Sequence, residues 1–65
     1  MKTLRQIRED RGVSKVAIAR YLGISRPTYD AYENRPSQMK IETAQKVASF
    51  LCVDLADIFF LSNSN

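Results

Sequence analysis

Sixty-five residues and 7.4 kDa leave room for one small domain, and a chain of that length buries only about 60% of its unfolded surface. Hydrophobic residues at 45% suffice for a core, and charged residues at 26% are ordinary for a soluble protein. With no His, no Trp and one Cys, Cys52, a disulfide framework and a Cys/His zinc site within one chain are excluded. No apolar run approaches the ~20 residues of a membrane span, and no signal-like apolar stretch opens the sequence. A cytoplasmic location is the default expectation.

The net charge of +3 is unevenly spread. Residues 11–40 hold six bases (Arg11, Lys15, Arg20, Arg26, Arg35, Lys40) against Asp30 and Glu33, whereas the last thirteen residues carry Asp54, Asp57 and no base. A basic middle points to a surface that faces a polyanion, although a merely solvated basic face would look the same.

The elements read as short helices, since no stretch alternates long enough for a strand and no Asn-Gly or Asp-Gly turn suggests a hairpin. Leu4 and Ile7 share one face of a first helix ending near Gly12. Ser14 is placed to cap a second helix, about 14–22, with Ile18, Ala19 and Leu22 inward and Gly23 as its stop. Ser25 is placed to cap a third, about 25–34, with Pro27 in the first turn and Tyr29 and Tyr32 inward. Pro36 and Ser37 mark a loop. A fourth helix presents Ile41, Ala44, Val47, Ala48 and Leu51 as an apolar stripe. Asp54 reads as the cap of a fifth, containing Leu55, Ile58 and Phe59. Residues 1–61 form one domain, and 62–65 a polar, frayed tail.

Lys15 to Asn34 is the informative segment. Two helices crossing closely and steeply need a small residue at the crossing, which Ala19 supplies, and a connection that tolerates positive φ, which Gly23 supplies. Ile24 plugs the angle and Tyr29 completes the packing. These requirements describe a helix-turn-helix, whose second helix can enter the DNA major groove.

Leu4-Arg5-Gln6-Ile7-Arg8, Arg11-Gly12-Val13-Ser14, Ile18-Ala19, Leu22-Gly23-Ile24-Ser25-Arg26, Tyr32-Glu33-Asn34, Ile41-Glu42-Thr43-Ala44, Lys46-Val47-Ala48 and Val53-Asp54-Leu55-Ala56-Asp57-Ile58-Phe59 together resemble the lambda-repressor-like, Cro/C1-type helix-turn-helix family. The resemblance runs from residue 3 to 60 without a gap. It implies an all-α, compact five-helix domain and operator binding by a dimer or dimerising module of phage or bacterial type. The family's base-reading positions map onto Arg26, Pro27 and Ala31, and its phosphate-binding positions onto Lys15, Asn34 and the loop around Arg35.

Spacing puts Arg26, Pro27, Asp30, Ala31 and Asn34 on the outward face of the third helix, the first four as candidate base contacts. Arg26 suits a bidentate contact to guanine and Ala31 a thymine methyl. Phosphate contacts fall to Ser14, Lys15, Ser25, Asn34, Arg35 and Lys40, with the amides at the start of the second helix. Asp30 sets a negative charge where it opposes phosphate. Val16, Tyr21 and Pro27 make the outward face less polar than the family pattern, so a second use stays open: a protein-partner face that holds off a repressor or toxin, as an antirepressor or antitoxin would.

Arg8 lies on the inward stripe with Leu4 and Ile7, and Glu33 beside Tyr29 and Tyr32. A charge on a packed face needs a partner, so an Arg8–Glu33 ion pair is expected, the alternative being that each reaches water separately. Phe60 and Leu61 extend the apolar run past Phe59; they are dimer candidates, or are buried against the first helix through Leu4. Cys52 is expected to be a buried free thiol where the family often has Gly. Catalysis is not expected: there is no His, no paired carboxylates and no phosphate-cradling glycine loop, and no metal or cofactor is called for.

Overall fold

The computed structural model describes residues 2–62, with side chains as far as Ile58. Five α-helices follow one another: α1 (Leu4–Asp10), α2 (Lys15–Leu22), α3 (Arg26–Asn34), α4 (Ile41–Leu51) and α5 (Leu55–Ser62). A single 3-10 turn, Pro36–Gln38, joins α3 to α4, and the described residues contain no strand.

Each of the first three helices starts on a hydroxyl that accepts an otherwise unpaired backbone N–H. Ser14 Oγ accepts from Ala17 N at 3.0 Å, and Ser25 Oγ from Thr28 N at 3.2 Å. α1 begins with a reciprocal cap: Thr3 Oγ1 accepts from Gln6 N at 3.1 Å while Gln6 Oε1 accepts from Thr3 N at 2.8 Å. At the start of α5, Asp54 N donates to Asp57 Oδ2 at 3.3 Å.

Three helices end in the same way. Val13 N donates to Arg8 O at 3.2 Å, Ile24 N to Ala19 O at 3.0 Å, and Val53 N to Ala48 O at 3.0 Å. Each bond is preceded by a left-handed residue: Gly12 (φ +69), Gly23 (φ +72) and Cys52 (φ +60). The apolar residue that follows each turn, Val13, Ile24 or Val53, folds back half-buried against the core, as this type of helix end favours.

The core comprises Leu4, Ile7, Ile18, Ala19, Tyr29, Met39, Ala44, Val47, Ala48, Leu51 and Ile58. Three expectations are corrected. Ile41 is 56% exposed; it occupies the first helical position of α4, ahead of the turns that face the core, and Met39 is buried just upstream instead. The 3-10 turn carries Met39 and Pro36 under the domain, where an unbranched thioether can fill irregular space. Cys52 is an exposed thiol, not a buried one, because the left-handed backbone turns its side chain off the α4 stripe. Tyr32 and Leu22 pack inward as expected, half-buried against the core. Ser62 closes α5 instead of opening a tail. Residues 63–65, and the side chains of Phe59 and of the dimer candidates Phe60 and Leu61, lie outside the described residues.

Candidate nucleic-acid interface

α2 and α3 meet at the Gly23-Ile24-Ser25 connection, with Ala19 buried at the crossing. No heavy atom lies within 4 Å of a Cβ built on Gly23, so its φ of +72° is what the position demands. One side of α3 is anchored inward through Tyr29, which has no exposed surface. The other side presents Arg26, Pro27, Ala31 and Asn34 to solvent, with Asp30 half-buried.

The orientation of that outward side is held by a buried polar network. Arg8 Nε lies 2.5 Å from Glu33 Oε2, with the two side chains only 7% and 6% exposed. Tyr29 Oη donates to the same Glu33 oxygen at 2.8 Å, and Arg8 Nη1 donates to the Val13 carbonyl at 2.8 Å. Burial and then the Glu33 hydrogen bond push the Tyr29 phenol well above its ordinary range. Burial disfavours the Arg8 charge, but Glu33 outweighs it and raises the guanidinium pKa. Thus α1, the turn that follows it and α3 are tied at one point beneath the outward face.

The residues expected to meet phosphate are dispersed differently from a simple basic strip. Lys15, the first residue of α2, has its Nζ 2.8 Å from Asp30 Oδ1. The Asp30 charge is therefore paired within the domain, and the Lys15 hydrogen bond holds its carboxyl below the usual range. Ser14 and Ser25 serve as helix caps, and Ser25 Oγ also lies 2.9 Å from Thr28 Oγ1. Asn34, Arg35 and Lys40 are exposed around the end of α3 and the start of α4.

Val16 and Tyr21 are 46% and 49% exposed, but they do not form one patch. Five positions on a helix turn about 140°. Val16 lines a shallow hollow with Ala19, Arg20, Ile24 and Arg26, whereas the Tyr21 ring stacks on Phe50 with centroids 4.4 Å apart. Arg20 joins the hollow and Thr28 is exposed beside the Ser25 cap, neither having been singled out by spacing. Thr28 was legible as the third residue after the Ser25 cap, and Arg20 as the residue one turn after Val16.

The helix-turn-helix family matches residues 4–58, which includes α1 to α4 whole and the first half of α5. A relative, the cryptic phage CTXphi transcriptional repressor RstR of Vibrio cholerae, is 32% identical over 62 residues, covering 95% of this chain and 56% of the relative. The chain thus spans little more than half the length of that protein. No solved structure matches it. With the family match spanning both crossing helices and the helices that brace them, the chain belongs to the helix-turn-helix family.

Proposed function

We propose that this chain is a sequence-specific DNA-binding transcriptional regulator of phage or bacterial type, placing α3 in the major groove of an operator. The observation that carries this reading is the division of α3 into two sides. Tyr29 and Glu33 are locked inward, while Arg26, Pro27 and Ala31 stand exposed and Asp30 partly so. An α-helix fits the B-DNA major groove, and the outward residues of such a helix reach base edges. Arg26 would bind guanine, Ala31 would touch a thymine methyl, and Asn34, Arg35, Lys40 and the capped starts of α2 and α3 at Ser14 and Ser25 would meet phosphates. The relative's printed role as a transcriptional repressor supports repression as the regulatory sense. Two copies would read half-sites about one helical turn apart, with Phe60 and Leu61 as the dimer contacts.

The test is a fluorescence-anisotropy titration against duplexes from around the gene's own promoter at two ionic strengths. One duplex should bind far more tightly than a scrambled control, affinity should fall steeply with salt, and Arg26→Ala should erase the preference. Equal, weak binding to every duplex would overturn the reading.

The exposure of Val16, in the shallow hollow it lines with Ala19, Arg20, Ile24 and Arg26, favours a second reading, a module that binds a partner repressor or toxin. Under that reading Val16→Asp abolishes a tight protein complex while Arg26→Ala leaves any DNA binding as it was.

A further inference from the structure

We infer that Lys15 is the fixed counter-ion of Asp30 and not a phosphate anchor, and that this pair lets Asp30 read a cytosine close to the base met by Arg26. The inference rests on the DNA-binding reading above and adds the base at a second position of the site.

Lys15 and Asp30 are fifteen residues apart in sequence and belong to different helices, yet the packing of α2 against α3 brings Nζ to 2.8 Å from Oδ1. Both side chains are about one-third exposed, at 35% and 40%. The pair therefore sits at the surface where the outward side of α3 would face DNA. A lone carboxylate there would be repelled by the phosphates that flank the groove. Paired with Lys15, the site is locally neutral, and the second oxygen of Asp30 remains an acceptor.

The major groove offers one base edge that suits such an acceptor. Cytosine presents the N4 amino donor, guanine presents only acceptors, and thymine an acceptor and a methyl. Adenine also has an amino donor, but its N7 acceptor lies beside it and opposes a carboxylate. Asp30 follows Arg26 by four residues on the same face, a rise of about 6 Å along the helix. That spacing spans at most about two base pairs at 3.4 Å each. The site thus holds a guanine for Arg26 and, within two base pairs, a cytosine for Asp30.

Two measurements on the full chain test this. The first selects bound duplexes from a pool with a randomised centre, using the wild type, Arg26→Ala and Asp30→Ala. The wild-type pool should show a guanine whose preference Arg26→Ala removes, and a cytosine within two base pairs that Asp30→Ala alone removes. The second follows binding of a random-sequence duplex against salt concentration. Lys15→Ala should leave the slope unchanged. Asp30→Ala should steepen it by about 0.9, the contribution of one newly freed phosphate contact, and Lys15→Ala/Asp30→Ala should restore the wild-type slope. Far-UV circular dichroism confirms that each variant is folded. A cytosine preference that survives Asp30→Ala, or a slope that falls by about 0.9 in Lys15→Ala alone, overturns the inference and leaves the DNA-binding reading standing. A wild-type pool with no enriched sequence overturns that reading itself.

Discussion

Glu33→Ala is the most informative single change to the scaffold. Its carboxylate accepts from Arg8 at 2.5 Å and from the Tyr29 phenol at 2.8 Å, and neither the Arg8 nor the Glu33 side chain exceeds 7% exposure. Removing it leaves a guanidinium in the interior with the Val13 carbonyl as its remaining buried acceptor, and a phenol with no partner. Breaking one side of a buried pair costs about 3–5 kcal/mol, and the orphaned phenol's own ~1–3 kcal/mol overlaps with that figure. A domain of this size has only about 3–10 kcal/mol of total stability. Glu33→Ala should therefore be largely unfolded or melt lower by about 12–40 °C, measured by urea and thermal denaturation followed by circular dichroism. Arg8→Met/Glu33→Leu removes both charges together and should recover most of the loss, since apolar replacement of a whole buried pair is often neutral. A Glu33→Ala protein within about 1 kcal/mol of wild type would refute the reasoning, because a groups-to-water arrangement would then hold instead.

Other perturbations have equally definite signs. Tyr29 has its phenol raised by burial and by Glu33, so its contribution is fully present below the unfolded-chain value of about 10 and is lost as pH rises past it. The urea midpoint of the wild type should accordingly fall more steeply above that pH than that of Tyr29→Phe. Cys52 holds φ +60 as a non-glycine residue, a conformation costing about 1–2 kcal/mol; Cys52→Gly should stabilise by about 0.5–1 kcal/mol after the added unfolded-state freedom is counted, read as a higher urea midpoint. Gly23→Ala meets no atom within 4 Å and should still lose about 1–2 kcal/mol from its backbone conformation alone, read in the same way.

Local rules made most of the fold legible. Ser14, Ser25, Gly12 and Gly23 act through bonds to residues within five positions of themselves, so their roles follow from spacing. The inward faces of α1, α2 and α4 follow from period, as does the placing of two opposite charges, Arg8 and Glu33, on buried sides. What spacing could not give was set by the chain's path between elements. Met39 is buried and Ile41 exposed because the 3-10 turn decides the angle at which α4 is entered. Cys52 itself does not announce a left-handed end as glycine does; the clues were the Gly that the family often has at that place and the apolar Val53 after it, matching Val13 and Ile24. On the candidate interface, Asp30 was read as an unopposed charge because helical periodicity relates residues on one helix and is silent about Lys15 on the next.

That pairing changes how the basic middle of the chain should be understood. Six bases lie within residues 11–40, but Lys15 is held by Asp30 and Arg11 Nη2 donates to the Cys52 carbonyl at 3.3 Å. Arg20, Arg26, Arg35 and Lys40 form no ion pair among the described residues. If all four met phosphates the salt slope would be about 3.6 per domain, which amounts to roughly a hundredfold loss of affinity between 50 and 200 mM salt. Arg26 committed to a base lowers that figure further. On the proposed reading, a single copy then has modest non-specific attraction, and tight operator binding would come from base contacts along α3 and from a second copy on the adjoining half-site. The network of Arg8, Glu33 and Tyr29 beneath α3 fits this division: with few phosphate clamps to set its register, a reading helix would be aimed by the protein's own interior.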